Sequence, residues 1–343
     1  MQRKIILFVI IILLLGHQST TAQNDNAPVF AGITMVAPPS PISNTELKAI
    51  NAVKANWVAL VPYGYSSEGN PSIRYNLDRQ WWGERQEGIE ASIDLAHAEG
   101  LSVMLKPQVY IHGGWVGDVQ FDTDEQWQEW EANYRTYILF YAEIAARKEV
   151  ELLCIGTEWK RVVAERPQFW SKLIADLRQL YSGKLIYCSN WDGYEKVPFW
   201  KELDYVGISS YFPLSDRTTP TVHQLKAKWQ PIKKQLRKFH KEVDKQIIFA
   251  EYGYMSIDGC AGKAWLIEKD LANRSINQVA QARAYDALWS AHWDEDYWAG
   301  GFLWKWFPAG MGHEGYPEKD YTPQDKVAYD TILKWHSKVN RQD

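Results

Sequence analysis

The chain has 343 residues, a length generous for one ordinary domain but normal for an α/β barrel with insertions. Its 46% hydrophobic and 23% charged residues exclude disordered and fibrous classes, and a formal net charge of -4 without a basic run leaves no footprint for nucleic acid or anionic lipid. The 18 Trp, 19 Tyr and 11 Phe exceed what a core of this size requires and point to a cleft lined with rings, for which sugars are the commonest ligands.

The N-terminus reads as a targeting segment. Arg3-Lys4 precede the apolar run Ile5 to Leu15, and the small residues Thr20-Thr21-Ala22 follow, which predicts a signal peptide over residues 1–22 cleaved after Ala22. The apolar run is too short to cross a core of roughly 30 Å, and no Cys follows it for a lipid anchor. A secreted or periplasmic protein is expected, free of the membrane after signal removal and monomeric.

From residue 23 to the end, short apolar runs alternate with helical patterns. Strands are predicted at Phe30 to Met35, Trp57 to Val61, Ser102 to Leu105, Leu152 to Ile155, Lys184 to Cys188, Tyr205 to Ser209, Gln246 to Ala250 and Gly301 to Trp304. Helices are predicted at Asn44 to Val53, Gly88 to Ala98, Asp124 to Arg147, Gln168 to Tyr181, Val222 to His240, Ser275 to Trp293 and Pro323 to Val339. Strands that are continuously apolar are buried on both faces, so the pattern predicts a parallel sheet closed as one (β/α)8 barrel domain over residues 23–343. An open doubly wound sheet would want a glycine-rich turn after the first strand, where Thr34-Met35-Val36-Ala37-Pro38-Pro39 stands instead. Of the three cysteines, Cys154 and Cys188 fall on strands that could be neighbours. Two buried thiols are favoured there over a bridge.

A barrel collects its chemistry at the C-terminal ends of its strands. Those ends carry Pro62-Tyr63-Gly64-Tyr65, Lys106-Pro107-Gln108, Gly156-Thr157-Glu158-Trp159, Ser189-Asn190-Trp191-Asp192, Ser210-Tyr211-Phe212, Glu251-Tyr252-Gly253-Tyr254 and Trp304-Lys305-Trp306. Glu158 and Glu251 each follow an apolar run directly. A carboxylate in such a place costs desolvation unless something uses it, and a pair facing one cleft is what glycoside hydrolysis requires. Neither a His-Glu-x-x-His metal motif nor a Gly-x-Ser-x-Gly elbow is present, so no metal or cofactor is expected.

The segments around Glu158 and Glu251, together with Trp81-Trp82-Gly83-Glu84-Arg85, Lys106-Pro107-Gln108-Val109, Asn190-Trp191-Asp192 and Gly300 to Trp306, resemble glycoside hydrolase family 113 over almost the whole mature chain. The resemblance implies a retaining (β/α)8 glycosidase acting on β-1,4-linked mannosyl chains, with Glu158 as acid/base and Glu251 as nucleophile. Thr157 departs from the wider clan, most of which places Asn before the acid/base to bind the sugar 2-hydroxyl, so that partner is left open. Tyr211 is the candidate donor to the nucleophile, and Lys106, Gln108, His112 and Asn190 are candidates for hydroxyl contacts. Trp304 is expected to lie under the sugar being cleaved, with Trp82 and Trp191 as further substrate-binding rings and Trp306 as an outer-subsite or loop-packing residue. The alternatives are another β-glycosidase of the same clan, a β-glucanase or an exo-β-mannosidase, and a barrel that binds sugar without turnover.

Overall fold

The computed structural model describes residues 30–308 and 316–339; the predicted signal peptide lies outside them. Eight parallel strands close into a barrel: β1 (Phe30–Met35), β2 (Trp57–Leu60), β4 (Ser102–Leu105), β6 (Leu152–Thr157), β7 (Lys184–Asn190), β8 (Tyr205–Ser209), β9 (Ile247–Tyr252) and β10 (Trp298–Trp306), with β10 pairing back onto β1. These are the eight predicted strands. The bounds differ where it matters most: β6 runs on to Thr157 and β9 contains Glu251, so the second carboxylate lies within its strand and not beyond it.

Two further strands were not predicted. β3 (Tyr63–Ser67) and β5 (Gln108–His112) pair in parallel as a separate two-stranded sheet beyond the ends of β2 and β4. Their alternating burial is the signature of a strand half-exposed on one face.

The helices start where side-chain caps allow. Ser43, Thr123 and Thr221 each form a capping box, with Glu46, Gln126 and Gln224 respectively, and so satisfy backbone donors that the first turn leaves free. Inside the barrel, Phe30, Phe302 and Trp57 pack at ring-centroid distances of 4.7–6.2 Å. Gly32 makes room for this plug, because a Cβ there would stand 2.3 Å from the Phe302 ring. The N-terminal end is thereby filled and the C-terminal end left for chemistry.

The aromatic excess is placed differently from the expectation. Seven tryptophans (Trp130, Trp159, Trp170, Trp200, Trp229, Trp289 and Trp298) are less than 2% exposed. Most pack in the layer between barrel and helices, where Trp130 stacks on Tyr134 and Trp170 on Phe199. Cys154, Cys188 and Cys260 are buried free thiols. No helix among the described residues is long and apolar enough to cross a membrane.

Candidate active site

Glu158 follows β6 with a left-handed backbone (φ 59°), unusual for a residue with a Cβ. Its neighbours hold the turn. The Glu158 N–H donates to the Cys188 carbonyl at 2.7 Å, and Trp159 is buried with its indole N–H donating to the Tyr134 hydroxyl at 3.1 Å. Tyr134 in turn donates to the Ile155 carbonyl at 3.0 Å, which ties the turn to helix Asp124–Arg147. At the Glu158 carboxyl, the Trp115 indole N–H donates to Oε2 at 3.2 Å and Ser209 gives a second hydrogen bond. Burial and then the nearby Glu251 charge push this carboxyl up to about 7.

Glu251 sits opposite Ser209 in register and is 7% exposed. Three side chains converge on it. The fully buried Lys106 ammonium forms a salt bridge with Oε1, Gln108 Nε2 donates to the same oxygen at 2.7 Å, and the Tyr211 hydroxyl donates to Oε2 at 3.1 Å. Burial disfavours the Lys106 charge, but the Glu251 carboxylate together with the neighbouring Cys188 and Cys154 sulfurs offsets it, so the ammonium is held above its ordinary range. Burial likewise holds the Tyr211 hydroxyl well above its usual value, keeping it a donor. Tyr211 thus takes the predicted place. Lys106 and Gln108, expected at sugar hydroxyls, are found holding the carboxylate, Lys106 because a buried ammonium needs an anion within reach.

Trp304 is partly exposed on β10, with the ammonium groups of Lys106 and Lys305 5.8 and 5.5 Å from its ring centroid. Gly253 lets this segment approach, since a Cβ there would meet the Trp304 carbonyl at 2.4 Å. Trp306 is only 3% exposed and packs near Tyr329, so it is a core ring and not an outer platform. Asn190 turns its side-chain oxygen onto the Trp191 N–H at 2.8 Å, fixing the exit from β7. The Trp191 ring stacks on Trp265 at 5.8 Å and 17°. His112 lines a cavity of about 780 Å³ beside the β3/β5 sheet. The tryptophan that lines this cavity is Trp81 and not the predicted Trp82, whose indole packs against Gly88 at the start of helix Gln86–Ala98.

The family model of glycoside hydrolase family 113 matches residues 39–326. The chain belongs to glycoside hydrolase family 113. Among solved structures, it is similar to the family 113 β-mannanase AaManA from Alicyclobacillus acidocaldarius in complex with ManMIm, with a TM-score of 0.79, 26% identity, and coverage of 92% of this chain and 99% of that one. A second, a family 113 β-1,4-mannanase, has a TM-score of 0.77 at 23% identity, covering 90% of this chain and 99% of that one. A family 5 mannosidase from Rhizomucor miehei shares the fold, with a TM-score of 0.59 at 11% identity, covering 91% and 93%. No curated protein matches the chain.

In this glycoside hydrolase, some of the groups nearest the two carboxyls had not been singled out from the sequence. Trp115 follows the pair Gly113-Gly114 just past β5, and nothing local shows that its N–H meets Glu158. Ser209 is a serine inside an apolar strand, and its bond to Glu158 depends on the registers that carry β8 through β7 to β6. Trp265 sits in the short helix Ala264–Ile267, within a long connection whose conformation the sequence does not reveal.

Proposed function

We propose that this glycoside hydrolase cleaves β-1,4-mannosidic bonds in mannan or manno-oligosaccharides by double displacement, with Glu251 as nucleophile and Glu158 as acid/base. The observation that carries the roles is the unequal environment of the two carboxyls. Glu251 is held by an ammonium and two further donors, which suits a standing negative charge, whereas Glu158 holds its proton up to about 7. The substrate class is supported by the two family 113 relatives, both β-mannanases by name.

In the first step a Glu251 oxygen bonds to the anomeric carbon while the bond to the glycosidic oxygen breaks and Glu158 gives that oxygen its proton. The glycosyl ester so formed removes the Glu251 charge, and with it one of the two causes that raise the Glu158 carboxyl. Glu158 is then the better base. It takes a proton from water, the water oxygen bonds to the anomeric carbon, and Glu251 leaves as carboxylate with the β configuration restored. Trp304, beside Lys106 and hence beside Glu251, is placed to meet the sugar that reacts.

A reducing-sugar screen over mannan, glucomannan, xylan and cellulose tests the substrate, with mannan expected to be the best. NMR of the first product tests the mechanism: β-anomer is expected, and α-anomer appearing first would overturn double displacement. Export is part of the proposal and rests on the N-terminal pattern alone. Mass spectrometry of the exported protein should find Gln23 at its N-terminus.

A further inference from the structure

Two of the buried thiols lie in the layer just beneath the two carboxyls and take no part in double displacement. Cys154 on β6 and Cys188 on β7 belong to the barrel's inner core, with Ile186, Ile248, Ala250 and Phe302. Cys188 stands opposite Gly207 of β8, and Ser209, two residues further along β8, lies on the same face of the sheet. Cys188 Sγ and Ser209 Oγ are 3.2 Å apart, and both residues are buried completely. Ser209 in turn hydrogen-bonds the Glu158 carboxyl. The Cys188 carbonyl accepts the Glu158 N–H at 2.7 Å. One residue of β7 thus reaches the acid at its backbone and, through Ser209, at its carboxyl.

The direction of this relay follows from counting protons. An ionised carboxylate only accepts, and a serine hydroxyl has one proton to give. With that proton on Glu158, the Ser209 oxygen meets Cys188 only as an acceptor, so the thiol donates. Burial holds the thiol well above its ordinary value, which keeps its proton in place. A thiol suits this apolar layer because it packs as a small hydrophobe and is still a weak donor. The relay matters most once Glu158 has protonated the leaving oxygen and carries a charge. Donors aligned head to tail polarise one another, and a hydrogen bond to the charged form lowers a carboxyl's proton affinity. Burial and the Glu251 charge push the other way. An acid that gives up a proton and then takes one back works best when such influences balance near the working pH.

We propose that Cys188 is a positioning residue for the acid/base: its thiol donates to Ser209 Oγ and so directs the Ser209 proton onto the Glu158 carboxylate. The inference rests on the acid/base role of Glu158 given above. The other titratable groups that face this pair are Glu251 on β9, Lys106 past β4, Cys154 on β6, Tyr187 on β7 and Tyr211 past β8. All five stay in place in the variants below.

The test is the basic limb of the kcat/KM profile against pH on one soluble manno-oligosaccharide, which reports Glu158 in the free enzyme. Cys188→Ala should carry the limb up by roughly half a pH unit, as suits a weak donor acting at one remove. Ser209→Ala removes the direct bond and should carry it up by roughly one to two units. Adding Cys188→Ala to Ser209→Ala should then move it no further, because the link is already broken. Cys188→Ser puts a stronger donor in the same place and should carry the limb down, and it is a test by itself if Cys188→Ala does not fold. A limb that Cys188→Ala leaves in place overturns the inference. So does a shift that persists in full in the Ser209→Ala background, or a Cys188→Ser limb that stays or rises. Each of these makes the thiol a packing group and leaves the role of Glu158 standing. If Glu158→Ala keeps the parent's rate and profile, that role is wrong and the inference falls with it.

Discussion

Glu251 on β9 and Glu158 just past β6 are the same side chain in unlike company. Glu251 receives an ammonium from just past β4, an amide from β5 and a hydroxyl from beyond β8, while the hydrogen bonds to Glu158 come from the Trp115 indole and the Ser209 hydroxyl. The cation is the decisive difference. Lys106 is buried completely and its Nζ bonds to Glu251, so it reaches Glu158 only through space. A closed barrel makes this possible because each strand end contributes its side chain independently of the others. Two identical groups in one cleft can then be given different protonation states by residues far apart in sequence.

The largest effects should come from erasing that difference. Glu251→Gln keeps the shape and the donors around it but removes the nucleophile, and kcat on mannan should fall by roughly a millionfold, the loss seen for a covalent nucleophile elsewhere. Glu158→Ala should cost roughly 10²–10⁴-fold, the usual worth of a general acid/base. The loss should be greatest on substrates with poor leaving groups, and added azide should restore turnover by attacking the glycosyl–enzyme in place of the missing base. If azide restored the Glu251 variant and not the Glu158 variant, the two roles would be reversed. Trp304→Ala comes next. Positive charge developing on the sugar ring attracts an aromatic face, so kcat should fall as well as KM rise, by roughly 2–4 kcal/mol in kcat/KM. Unchanged kcat with a native circular-dichroism spectrum would make this ring part of the scaffold.

What could be read from the sequence divides along the same line. The barrel was legible because its strands are buried on both faces, which leaves continuous apolar runs such as Ile247 to Ala250. Glu158 and Glu251 stood out for the same reason, as charges set against those runs. Tyr211 was named as a partner of Glu251, but Lys106 and Gln108 were named without that contact. Lys106 and Gln108 meet Glu251 across 145 and 143 residues of chain, and no local pattern states which strand end faces which. The β3/β5 sheet was lost because each strand follows a barrel strand so closely that it read as loop, although the alternation in Gln108 to His112 carried the signal. Trp81 and Trp82 show a further limit: adjacent residues in a turn point different ways, and only the fold decides which ring lines the cavity. The aromatic excess misled most, since a count does not separate a cleft from a helix–barrel layer rich in stacked and edge-on rings.

The smallest effect sharpens the comparison most, because it moves one carboxyl and leaves the other's partners in place. Turnover needs Glu158 protonated at the first step, so kcat/KM should fall as pH rises through about 7, where that carboxyl loses its proton. The Trp115 N–H donates to Glu158 Oε2 at 3.2 Å and so favours the charged form. Trp115→Phe keeps a ring but removes the donor, which must raise the Glu158 carboxyl further and carry the basic limb of the pH profile to higher pH. Below that limb the variant should differ from the parent by no more than a few-fold, the scale of a single hydrogen bond worth about 1 kcal/mol. At 37% exposure the Trp115 ring contributes little to the core, and the melting temperature should hold. The measurement is a kcat/KM profile on one soluble manno-oligosaccharide for both enzymes. A basic limb that stays in place would mean that Trp115 does not set the acid's proton affinity, and a limb that moves to lower pH would mean that its N–H serves the neutral carboxyl instead.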